Sequence, residues 1–86
     1  MSIKERVAKT LDLPKDIMLD FPKMTALGNK ELSIENYKGI IEYSEETIRL
    51  NTTTHMLKIT GKNMEIKNIT QDEIELAGLF TKIELI

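Results

Sequence analysis

The 86-residue chain has no cysteine and no tryptophan, a single histidine and only two prolines. Without cysteine there is neither a disulfide framework nor a thiolate metal site, a composition that fits a reducing compartment. The aromatics are confined to Phe21, Tyr37, Tyr43 and Phe80, so the core has to be built from Ile, Leu and Met. The net charge of −2 argues against nucleic acid as the main partner, because phosphate binding needs a concentrated Lys/Arg surface. No apolar run approaches the ~20 residues of a membrane span. The first residues, MSIKERVAKTLDL, lack the continuous apolar stretch of a secretory leader. In that light Asn51-Thr52-Thr53 and Asn68-Ile69-Thr70 read as chance matches to the glycosylation sequon.

A chain this short buries only about 60–65% of the surface its unfolded form exposes, which leaves a thin margin of stability and favours association. It is expected to form one structural unit, with residues 1–22 as a helical, proline-bounded lead-in and residues 23–86 as a β domain. Ser2 with Glu5 has capping-box spacing, and Ile3, Val7 and Leu11 recur every four residues as one narrow apolar stripe. A helix of some eleven residues is marginal alone, so this stripe must dock, and Ile3, Val7 and Leu11 form the candidate interface. Its three possible berths are the chain's own sheet, a partner protein and an anionic membrane surface. The stripe lacks the Trp or Phe that a strong interfacial helix carries. Pro14 closes the helix and opens a further turn at its N1 position, and Pro22 stops that turn and holds Phe21 extended.

From Met24 onward the apolar period is two. The pairs Leu32/Ile34, Ile41/Tyr43, Ile48/Leu50, Leu57/Ile59, Met64/Ile66, Ile74/Leu76 and Ile83/Leu85 predict six to eight short strands. Turn chemistry falls between them at Gly28-Asn29-Lys30, Asn36 to Gly39, Ser44-Glu45-Glu46, Thr52 to His55, Gly61-Lys62-Asn63 and Thr70-Gln71-Asp72. Gly61 and Asn63 both accept φ > 0, which predicts a hairpin over LKITGKNMEI. The fold class expected is mainly β: a short helix, then an antiparallel meander, barrel-like or two-layered. A short β-solenoid is the alternative, since the apolar pairs recur almost as rungs.

Reactive chemistry is scarce. His55 sits in the turn-like TTTHM, and Ser33 and Ser44 have no base near them in the pattern. Asp12, Asp16 and Asp20 recur every four residues, but Pro14 interrupts the helix that a metal face would need, and calcium loops pack their ligands closer. These features predict no catalytic residue, no cofactor and no metal. The five methionines read as core filler.

Two segments nevertheless have a familiar order: LPKDIMLDFPKMTALGNKELSIENYKGIIEYSEETIRL and MLKITGKNMEIKNITQDEIELAGLFTKIEL. Through Leu13-Pro14, Asp16, Pro22, Gly28, Ile34-Glu35-Asn36, Gly39, Leu57-x-Ile59-x-Gly61 and Gly78, the chain resembles the YabP/YqfC family of sporulation proteins from endospore-forming Firmicutes. The likeness departs at TTTH, where a glycine is expected before the Leu57 strand. The resemblance implies a non-enzymatic structural or adaptor module acting in spore development or coat assembly. It would work in the mother-cell cytoplasm, or peripherally at a membrane or the forespore surface. The implied partner is a protein, with a membrane-associated sporulation protein as candidate, or further copies in a homo-oligomer. No catalytic residue is carried over. A small-ligand or membrane-surface binding β module is the alternative reading.

Overall fold

The computed structural model describes residues 20–86. Six strands follow in order: β1 (Lys23–Leu27), β2 (Glu31–Glu35), β3 (Tyr37–Tyr43), β4 (Thr47–Thr52), β5 (Met56–Ile69) and β6 (Glu73–Leu85). No helix occurs among the described residues, and the expected helix with Ile3, Val7, Leu11 and Pro14 lies outside them. The strands form one open sheet in the order β1-β2-β6-β5-β4-β3, every neighbour antiparallel. That pairing overturns the solenoid alternative, which requires stacked parallel rungs. It also modifies the meander, because β2 lies beside β6 rather than β3.

Alternation dictates the faces. Leu32, Ile34, Ile48, Leu50, Leu57, Ile59, Met64, Ile74 and Leu76 are all buried and join Tyr37 and Phe80 in one core. The intervening Arg49, Lys58, Glu65 and Glu75 stay at least partly in solvent, as the period of two requires. Two cross-strand ion pairs decorate the polar side, Lys23–Glu35 at 3.7 Å and Arg49–Glu42 at 2.8 Å. Exposed pairs of this kind contribute about 0–1 kcal/mol each.

Three of the hairpins close with one device. Ser44, Thr52 and Thr70 each make one backbone bond to the residue three positions on, their N–H groups donating to the carbonyls of Thr47, His55 and Glu73. In return the N–H groups of Thr47, His55 and Glu73 donate to the three hydroxyls at 2.9, 3.0 and 3.1 Å. A Ser or Thr side chain thus satisfies the turn locally, and no glycine is needed. That accounts for TTTH in place of a glycine. The β1–β2 turn differs, with Gly28 at φ 57° and the N–H of Lys30 donating to the Leu27 carbonyl at 3.2 Å.

Gly61 does not lie at a hairpin tip. It sits inside β5, a continuous strand of 14 residues, and the expected hairpin over Leu57–Ile66 is absent. The true turn comes later, at Thr70. Gly61 and Gly78 instead mark the place where the long β5–β6 ribbon bends. A Cβ on Gly61 would strike the Leu79 carbonyl oxygen, and one on Gly78 (φ 151°) would meet the Met64 Cα at 2.8 Å. Register slips between Lys62 and Glu65 at this point, with Asn63 at φ 52°. Glycine is required here for close backbone approach at a bulged corner, rather than for a tight turn.

Asn36 to Gly39 is likewise no turn. Asn36 alone, at φ 64°, separates β2 from β3, and Gly39 lies within β3 with open space around its Cα. The Asn36 N–H donates to the Asp72 carbonyl at 2.6 Å, and Tyr37 Oη donates to the Thr70 carbonyl at 2.7 Å. The start of β3 is thereby fastened to the β5–β6 turn, although β3 stands at the far end of the strand order. The sheet therefore coils about its own apolar face.

Candidate interaction surface

The long ribbon gives each of its strands two different settings. Near the open end, residues 57–60 of β5 lie between β4 and β6. Near the turn, residues 73–77 of β6 lie between β5 and β2. Each strand is central in one half of the ribbon and an edge in the other.

The two edges are finished differently. Along β5 beyond the corner, the Met64 N–H donates to the Glu45 carbonyl at 3.0 Å, and the Ile66 N–H donates to Tyr43 Oη at 3.2 Å. Lys67 and Glu65, 3.2 Å apart, add charge to that strand. Such blocking by loops, hydroxyls and charges suits an edge kept from pairing. Along β6 the N–H groups of Gly78 and Phe80 donate to the carbonyls of Lys30 and Asn29 at 3.1 and 2.8 Å, so the β1–β2 turn covers the edge that far. Past Thr81 no strand of the described residues pairs on that side.

The orientation of the open stretch follows from its far end. Met56 and Ile86 exchange both backbone bonds, at 3.0 and 2.8 Å, and the register then runs without slip through Leu57–Leu85, Lys58–Glu84, Ile59–Ile83 and Thr60–Lys82. Antiparallel bonding alternates. Glu84 and Lys82 therefore bond to β5, while the N–H and C=O groups of Ile83 and Leu85 point to the free edge. Their side chains share the core face with Ile59 and Leu57, which are fully buried. Ile83 and Leu85, with no strand of the described residues beyond them, remain 42% and 57% exposed. On the opposite flank Ile40 and Tyr43 of β3, facing Leu50 and Ile48, are also exposed. The sequence marked Ile83/Leu85 and Ile41/Tyr43 as core pairs; all four are exposed, Ile83, Leu85 and Tyr43 on edge strands and Ile41 at the irregularity where β3 shifts register against β4.

No reactive constellation occurs among the described residues. His55 is exposed, its Nδ1 2.6 Å from Thr54 Oγ1. No group of acidic, His or Cys side chains among the described residues has metal-binding geometry. A shallow hollow beside β1, lined in part by Thr25, Ser33, Lys67 and Glu75, is open to solvent and holds no nucleophile paired with a base.

Of the residues singled out in the sequence, Gly61 and Gly78 both lie at the corner, each close to Met64. Asn36 Nδ2 donates to the Phe21 carbonyl at 3.1 Å, next to Pro22. Glu35 reaches Lys23, so Pro22, Glu35 and Asn36 form one neighbourhood at the start of β1. Gly28 and Gly39 stand apart from both groups. So small a sheet is expected to leave edge strands uncovered, but which edge stays open is a property of pairing and leaves no local pattern in the sequence.

Fold and surface define a small antiparallel β module with an exposed apolar edge and no reactive centre among its described residues. The YabP family model matches residues 22–86, a span that coincides with the sheet, and the chain belongs to that family. It is 37% identical over 76 residues to the uncharacterized protein YqfC of Bacillus subtilis (strain 168), a match covering 88% of this chain and 82% of YqfC. No helix of the described residues is long and apolar enough to cross a membrane.

Proposed function

We propose that this protein is a non-enzymatic contact module of sporulating cells, acting in spore development or coat assembly by binding a protein partner or further copies of itself. Family membership over the whole sheet, together with 37% identity to YqfC, carries the reading. Exposed apolar side chains on edge strands support the contact role. In this reading the protein works in the mother-cell cytoplasm, and a membrane-associated sporulation protein is the candidate partner. Residues 1–22 serve as lead-in to the β domain of residues 23–86, and the stripe Ile3, Val7 and Leu11 serves as the interface toward the partner.

Deleting the gene in the endospore-forming host tests the proposal. The expected result is a drop in heat-resistant spores with normal vegetative growth, restored by the wild-type chain and restored poorly by Leu11→Asp. Unchanged spore yield after deletion overturns the sporulation role.

A further inference from the structure

The edge of β6 that pairs with no strand of the described residues is short, and it is self-complementary. Ile83 and Leu85 present their backbone bonds outward and their apolar side chains toward the core face, while Lys82 and Glu84 project from the other face. Within the chain, Lys82 Nζ and Glu84 Oε2 are 3.7 Å apart and both side chains are reachable from solvent.

We propose that this edge pairs with the same edge of a second copy, antiparallel and about a two-fold axis at Ile83. The inference deepens the contact reading above by naming the partner, and rests on that reading. Charge selects the register. With the axis at Ile83, Ile83 faces Ile83 of the second copy, and Lys82 and Glu84 each face the opposite charge. Moving the axis one residue either way sets Lys82 against Lys82 or Glu84 against Glu84, and like charges directly opposite are destabilising. Sliding further toward Gly78 runs into the β1–β2 turn, whose Asn29 and Lys30 carbonyls already hold that edge. An isologous interface requires this kind of self-complementarity. Strand addition of this sort also continues the sheet, covering Ile83 and Leu85 beside the buried Ile59 and Leu57.

Sedimentation equilibrium of the purified full chain over about a hundredfold concentration range tests the proposal, because dimerisation follows mass action. The wild type is expected to show a monomer–dimer equilibrium. Lys82→Glu and Glu84→Lys are each expected to weaken it by about tenfold or more, since each sets like charges across the axis. Mixing these two variants is expected to restore a dimer, as the all-acidic edge of one meets the all-basic edge of the other. Ile83→Pro removes an outward N–H and is expected to abolish association while leaving the circular dichroism of the sheet unchanged. A wild type that stays monomeric overturns the proposal, and so does a dimer indifferent to both charge variants. If Ile83→Pro unfolds the chain, the charge variants decide. Spore counts play no part in this measurement, so its failure and that of the sporulation role are read separately.

Discussion

The two ends of the β5–β6 ribbon are made from similar residues and meet different fates. Near the turn, Ile74 and Leu76 of β6 are flanked by β2 on one side and β5 on the other, and both are buried. Near the open end, Ile83 and Leu85 of the same strand face the same way, have a neighbour on one side only among the described strands, and stay exposed. Residue type and alternation are the same in both places. Only the neighbouring strand differs, so burial here is a property of position within the sheet.

The largest test of this contrast uses a single cross-strand pair. Ile59→Ala is expected to lower stability by about 2–5 kcal/mol, the loss typical of truncating a fully buried aliphatic side chain. Ile83→Ala, directly opposite, is expected to lose about 1 kcal/mol or less in the monomer, because much of its surface never leaves water. Urea midpoints measure both. Equal losses would mean that Ile83 is covered and that the two ends of the ribbon are alike.

A smaller effect probes the corner between the ends. Gly61→Ala and Gly78→Ala are each expected to lose about 1–3 kcal/mol, since backbone stands where the new methyl group must go. Gly39→Ala is expected to change stability by less than about 0.5 kcal/mol, because nothing lies within 4 Å of the added carbon. If all three glycines tolerate alanine, the ribbon does not fold at Gly61 and Gly78.

The smallest effect concerns the capped edge of β5. Tyr43→Phe removes the acceptor of the Ile66 N–H, at a cost of about 0.5 kcal/mol or less for so exposed a bond. Hydrogen exchange is the more sensitive readout, and the Ile66 amide is expected to exchange faster while that of Ile74 does not change. An unaltered Ile66 amide would mean that the tyrosine does not guard this edge.

Much of the module was legible in the sequence. Leu32/Ile34, Ile48/Leu50, Leu57/Ile59 and Ile74/Leu76 announced inward-facing rows, and each proved buried. Ser44, Thr52 and Thr70 marked hairpins because the side chain that closes each turn lies within the turn. The misreading at Gly61 has a physical cause. Glycine and asparagine relieve the same steric restriction whether the chain reverses or only bends, and the obstacle that demands glycine here, the Leu79 carbonyl, is distant in sequence. Asn36 misled in the same way, as one residue at φ 64° redirects the chain without reversing it.

The sequence by itself determined the strand period, the face each side chain takes and the chemistry of the Ser/Thr turns, because these depend on atoms only a few residues apart. Tertiary structure alone decided that β2 joins β6, that the ribbon bends at Gly61 and Gly78, and that the row Ile83–Leu85 borders an open edge. Those outcomes depend on which distant strand supplies the next backbone hydrogen bonds. Two residues with identical local sequence signals part company when one gains such a neighbour and the other does not.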